Sequence, residues 1–159
     1  MPESNQKSEA RRLLLRYATL ILSGRPYFRY KLREKLFLRA EKLSLEDPGS
    51  TIDSILEDLG QSGYLNDKYL AEAYVRRQLA KGYGPKIISL KLKYLGLGTD
   101  LIKESLKSEA GEENEIASIR KYTSKYPRLD PRKLISKLYS RGYSSQVIKN
   151  AFDSSYIED

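Results

Sequence analysis

Neither cysteine nor histidine occurs anywhere in this 159-residue chain. Without thiols there is no disulfide, no thiolate nucleophile and no thiolate metal site, a composition that suits a reducing compartment. The missing imidazole excludes more. It removes Ser-His and Cys-His catalysis, imidazole metal ligation and the usual general base near neutral pH. No apolar run reaches the ~18 residues of a membrane span, and Met1-Pro2-Glu3-Ser4-Asn5-Gln6 lacks the basic and apolar segments of a signal peptide. A cytoplasmic protein that contacts no membrane is expected.

Negative charge is scarce in particular places. No acidic residue lies between Glu72 and Asp100, where Arg76, Arg77, Lys81, Lys86, Lys91 and Lys93 fall, nor between Glu9 and Glu34 or Asp130 and Asp153. The whole chain carries +8 with a pI near 9.5. That balance favours a polyanionic partner such as nucleic acid, an anionic membrane or an acidic protein groove.

What is present is helical period. Leu13, Tyr17, Leu20 and Ile21 define a face of a helix from about Ala10 to Leu22. Arg25-Pro26 opens a second helix bearing Phe28, Leu32 and Leu36, with proline at its start. Ser50 and Asp53 have capping-box spacing before a third with Ile52, Ile55, Leu56 and Leu59. Asn66 or Asp67 caps the next helix, which carries Leu70, Ala73, Tyr74 and Leu79; Gly84-Pro85 restarts the chain with Ile88, Leu92 and Leu95; and Thr99 caps a helix with Ile102 and Leu106. The run from Glu109 to Glu115 predicts a solvated loop leading into carboxylates of a following first turn. Ile116, Ile119 and Tyr122 mark that helix, Asp130-Pro131 opens one with Leu134 and Leu138, and Ser144 or Ser145 opens the last with Ile148 and Phe152.

A shift of 46 residues superimposes two of these groups. Pro85 falls on Pro131, Ile88 on Leu134, Leu92 on Leu138, Gly96 on Gly142, Leu97 on Tyr143, Thr99 on Ser145, Ile102 on Ile148 and Leu106 on Phe152. The first group fits more loosely, Leu32 and Leu36 taking the parts of Ile88 and Leu92. The expected fold is all-α: an elongated, curved array of three tandem three-helix repeats, residues 1–63, 64–110 and 111–159.

Catalytic templates fail. Gly82-Tyr83-Gly84 lacks the third glycine and preceding strand of a dinucleotide site, and no Gly-Lys-Ser or Gly-Lys-Thr exists. Ser118-Ile119-Arg120-Lys121 matches Ser-x-x-Lys by spacing alone. Glu57-Asp58 could offer carboxylates to magnesium but falls on an expected solvent face. No catalytic residue, cofactor site or metal site is predicted.

The basic residues remain. Arg29 with Arg33, Lys31 with Lys35 and Lys133 with Lys137 are each four apart, and Lys86 and Lys93 seven apart, so each pair shares a helix face. The candidate binding surface is Arg25, Arg29, Arg33, Arg76, Arg77, Lys81, Lys86, Lys91, Lys93, Arg132, Lys133 and Lys137. The plain alternative is a surface that only solubilises. Among 13 tyrosines, Tyr17, Tyr74 and Tyr122 read as core or half-core, while Tyr27, Tyr30, Tyr83 and Tyr94 could stack on bases or fill a partner's pockets.

Gly63-Tyr64-Leu65-Asn66-Asp67, followed by Ala71-Glu72-Ala73-Tyr74-Val75 and Lys81-Gly82-Tyr83-Gly84, resembles the signature of the RecX family. Gly63, Tyr64, Leu65, Asp67, Gly82 and Gly84 carry the resemblance in one continuous block. It departs at the start of the second helix, where Phe28 and Lys31 stand in place of the family's usual serine and glutamate. The resemblance implies tandem three-helix repeats and a non-enzymatic, monomeric regulator of the recombinase RecA. Such proteins are thought to lie in the groove of the RecA–DNA filament and to limit its growth and activity. A general nucleic-acid-binding helical array, acting on single- or double-stranded DNA without a recombinase, is the competing reading.

Overall fold

The structure, a computed structural model, describes the backbone of residues 2–153 and the side chains of residues 5–153. Residues 154–159, assigned above to the third repeat, lie outside the described residues. Among the described residues nine helices form and no strand: α1 (Pro2–Gly24), α2 (Arg29–Lys42), α3 (Gly49–Gln61), α4 (Asp67–Ala80), α5 (Pro85–Tyr94), α6 (Thr99–Glu109), α7 (Glu112–Thr123), α8 (Pro131–Ser140) and α9 (Ser145–Asp153). None of them is long and apolar enough to cross a membrane. The chain divides into two compact units between Leu70 and Ala71, inside α4.

In the first unit α1, α2 and α3 pack mutually around Leu14, Ala18, Leu32, Leu36, Ala40, Ile52, Ile55, Leu56, Leu59 and Leu65. Leu32, Leu36 and Ala40 recur every four residues, so one stripe of α2 enters the core. The expected phase of α1 is one residue off. Leu14 and Ala18 hold the centre, Tyr17 and Ile21 flank it, Leu13 is half-buried, and Leu20 is 69% exposed. Ala18 carries little hydropathy signal, yet it is fully buried in this core. The helix also runs from Pro2 to Gly24, beyond both expected ends.

Two expected helix starts in this unit are corrected. Pro26 stands outside α2, which begins at Arg29 with extended Phe28 before it and no side-chain cap of its own. The carboxylate of Asp67, the opening residue of α4, instead accepts from the Arg29 amide at 2.8 Å. One orphan donor of the helix start is thus satisfied from a residue 38 positions away. Ser50 and Asp53 form no capping box: α3 starts at Gly49 after Pro48, and Asp53 turns to Arg33.

In the second unit the 46-residue correspondence holds at the level of burial. Ile88 and Leu134, Leu92 and Leu138, Leu97 and Tyr143, and Ile102 and Ile148 are all buried. Gly96 and Gly142 end α5 and α8 in left-handed conformation, φ +85° and +94°. At both ends the next amide reaches back, Leu97 N to Leu92 O and Tyr143 N to Leu138 O. Asn66, Asp130 and Ser144 cap as expected, accepting from the amides of Tyr69, of Arg132 and Lys133, and of Val147. Thr99 does not cap: it is already inside α6, and Gly98 precedes it.

The joint between α4–α5 and α8–α9 is a contact of main chains. Gly84 N donates to Arg141 O at 2.8 Å and Lys86 N to Gly142 O at 3.2 Å, supplying acceptors to the start of α5. A Cβ on Gly84 would lie 2.5 Å from the Gly142 carbonyl carbon, so only glycine permits this approach. The Arg141 guanidinium then donates to Gly82 O at 2.5 Å and Lys81 O at 2.6 Å, just past the C-terminus of α4. It is stacked between Tyr83 and Tyr122, 4.2 and 4.3 Å from their centroids. Beneath lies a buried relay. Ser118 donates to Leu79 O, which can only accept, so the Tyr143 hydroxyl at 2.5 Å must donate to Ser118. Ser118 is therefore a tie between α4, α7 and the start of α9.

The acidic run before α7 is not simply solvated. Glu109 pairs with Arg76, Glu112 accepts from Asn150, and Glu115 is half-buried. Burial, with Glu112 adding repulsion, pushes the Glu115 carboxyl up to about 7.

Two outcomes are expected. Gly84→Ala forces the α4–α5 and α8–α9 backbones apart and costs about 1–3 kcal/mol, whereas Gly24→Ala, with open space around its Cβ, leaves stability unchanged or slightly raised; denaturant melts read both. Glu115 holds its proton more tightly when folded, so its contribution is complete below its ordinary 4.5 and is lost as pH rises towards about 7. Stability of the parent should therefore fall relative to Glu115→Gln across that window, and parallel pH profiles would contradict the assignment.

Candidate functional site

The basic row expected on α2 is answered by acids that lie elsewhere in the sequence. Arg33 donates to Asp53 at 2.9 Å, and Arg29 reaches Glu57 at 3.3 Å and the Leu56 carbonyl at 3.3 Å. Arg11 of α1 pairs with Asp58. The Arg33 hydrogen bond holds the Asp53 carboxyl below its ordinary value. The Glu57-Asp58 carboxylates thus go to arginines of neighbouring helices. Arg25 donates to the Tyr27 hydroxyl and lies 4.7 Å from that ring's centroid. Of the candidate cations in this unit, Arg29 and Arg33 are thus paired with carboxylates and Arg25 is engaged by Tyr27.

The second unit differs. Arg77, Lys81, Lys86 and Lys93 are exposed, and none has a carboxylate within ion-pair distance among the described residues. Arg76 leaves the set, being bound to Glu109 at 2.7 Å. So does Lys91: its ammonium sits 3.6 Å over the Tyr83 ring and donates to Gln78 at 3.0 Å. Tyr83 is thereby held between Lys91 and Arg141 and is not offered for stacking. On α8, Arg132, Lys133 and Lys137 are exposed; Lys137 lies 5.6 Å from the Tyr126 centroid.

Beside the α5 cations an apolar groove of about 470 Å³ opens, lined by Tyr74, Ile87, Leu90, Lys91, Tyr94 and Leu95. Leu90 is 58% and Tyr94 82% exposed. Arg77 lies 5.9 Å from the Tyr74 ring, at the groove's α4 wall. Burial pushes the Tyr74 phenol up, against the opposing pull of Arg77. Ile87 and Leu90 were not singled out from the sequence. The available signal was two apolar residues lying off the Ile88–Leu92–Leu95 stripe.

The signature residues have structural work. Leu65 joins the first unit's core and Asp67 caps α2. Gly63 takes φ +77°, Tyr64 is exposed, Gly82 at φ +78° presses on Tyr122, and Gly84 makes the main-chain joint.

Known proteins resemble this chain in sequence and fold. The sequence profile of the second three-helix domain of RecX matches residues 66–106. Regulatory protein RecX of Deinococcus radiodurans is 33% identical over 147 residues, covering 89% of this chain and 68% of that protein. That of Photobacterium profundum is 32% identical over 156 residues, covering 96% of this chain but only 55% of its own length. In Herbaspirillum seropedicae the figures are 30% over 143 residues, 87% and 88%. The chain thus spans about half the length of some relatives and most of others. The crystal structure of RecX from Lactobacillus salivarius superposes with a TM-score of 0.72 at 22% identity, covering 95% of this chain and 97% of that one. A second crystal structure, of regulatory protein RecX, gives 0.70 at 23% over 94% and 73%. The structures carry the fold, the sequence identities carry the relationship, and the chain belongs to the RecX family of regulatory proteins.

Proposed function

We propose that this protein is a non-enzymatic regulator that binds the RecA–DNA filament and restrains the recombinase during DNA recombination and repair. The observation that carries the reading is the uncompensated cation set Arg77, Lys81, Lys86 and Lys93, in a stretch without one acidic residue from Ala73 to Thr99. On α2, by contrast, Arg29 and Arg33 are met by Glu57 and Asp53. Exposed lysines and arginines of this kind attract phosphates and steer association with a polyanionic filament. Arg132, Lys133 and Lys137 add cations on α8. The general DNA-binding reading needs only these charges and no recombinase.

Binding to recombinase assembled on single-stranded DNA, compared with the same DNA naked at equal salt, separates the two. Preference for the filament and slowing of its DNA-dependent ATPase are expected; equal affinity for naked DNA would favour the general reading. Reversing Arg77 and Lys86 together should leave stability within about 0.5 kcal/mol. It should also reduce the slope of log affinity against log salt by about 0.7–0.9 per lost phosphate contact, with ATPase suppression weakened in parallel. Parent-like binding and regulation by the reversed protein would contradict a role for this face.

A further inference from the structure

We propose that the groove between α4 and α5 is the protein-docking part of this surface, and that it takes a recombinase segment presenting aliphatic or aromatic side chains flanked by carboxylates. This rests on the filament reading above and assigns one part of it. Viewed down α5, Leu90 is central, with Tyr94 and Ile87 on one side and Lys86 and Lys93 on the other, since residues three, four and seven apart share a face. Arg77 stands at the opposite wall over Tyr74. An exposed apolar strip rimmed by cations on both sides marks a site for an apolar anchor with acidic neighbours.

The chemistry disfavours the other occupants. Ile87, Leu90 and Leu95 offer a base edge no hydrogen-bonding group, and of the two lining tyrosines Tyr74 is half-buried, which leaves the Tyr94 ring as the one exposed stacking surface beside an aliphatic floor. The lysine of the lining, Lys91, is already engaged by Tyr83 and Gln78. A second copy docking through the same patch would bring Arg77, Lys86 and Lys93 against their own equivalents, with no acid between Glu72 and Asp100 to answer them. The corresponding positions on α8 are Lys133 for Ile87, Ser136 for Leu90 and Ser140 for Tyr94, so the apolar strip is not a general property of the repeat.

Leu90→Gln combined with Tyr94→Ala tests this, because both side chains are largely exposed and their loss should spare the fold, as a denaturation midpoint would verify. Anisotropy with labelled oligothymidylate, naked and coated with recombinase in a non-hydrolysed ATP analogue, gives the two affinities. The expected result is a loss of about thirtyfold or more on the filament, the size of a hot-spot defect. Naked-DNA affinity should stay within about twofold, where loss of a base-stacking tyrosine would cost about fivefold or more. Leu90→Met should restore filament binding in the presence of Tyr94. Equal losses on both ligands would make the groove a nucleic-acid site, and a parent dimer that the variant dissolves would make it a self-contact; either overturns the proposal. Undiminished filament binding by the variant overturns the docking site alone, whereas a parent that does not prefer the filament removes the function on which it rests.

Discussion

The close approach of Gly84 and Gly142 fixes the geometry of the second unit. Helix starts and ends leave main-chain donors and acceptors unpaired. Here the start of α5 is answered by the end of α8, through Arg141 O and Gly142 O. Arg141 then binds the carbonyls of Lys81 and Gly82 at the end of α4. Three helix termini are satisfied in one place. The cations and apolar groove of α4 and α5 sit on elements that this joint orients, so the surface is displayed by a braced scaffold rather than by a mobile loop.

Charge on the two units follows one physical rule with different outcomes. Exposed ion pairs contribute little stability, but they remove free charge from a surface. In the first unit Asp53, Glu57 and Asp58 line α3 opposite arginines of α1 and α2. Among the described residues the second unit offers one such partner to the candidate row, Glu109, and it takes Arg76. The remaining cations of α4 and α5 are therefore those with a field to spare for a polyanion.

Much of the architecture was legible in order along the chain. Period and turn chemistry located the helices, and the coincidence of Gly96 with Gly142 and of Leu92 with Leu138 marked equivalent structural positions. What escaped depends on residues distant in sequence. Asp67 capping α2, Asp53 neutralising Arg33 and Arg141 clamping α4 join positions 38, 20 and about 60 residues apart, beyond any periodic signal. The α1 phase error came from Ala18, which is fully buried although it carries little hydropathy signal. Lys91 looked like surface charge by composition, yet Tyr83 and Gln78 draw it inward. The α4–α5 groove is not legible in the sequence because Leu90 and Ile87 lie off the core stripe, where apolar residues carry no periodic signal.

The joint makes a direct demand on amide exchange. Amides at the start of a helix ordinarily lack intrahelical acceptors and exchange quickly, but those of Gly84 and Lys86 are bonded to Arg141 O and Gly142 O. Native-state hydrogen exchange followed by NMR should find both protected to nearly the same free energy as the core amides of Ile88 and Leu92, with that protection lost selectively in Gly84→Ala, whose Cβ would collide with the Gly142 carbonyl. Exchange of Gly84 and Lys86 at the rate of an unprotected helix start in the parent protein would contradict the joint, and with it the braced surface.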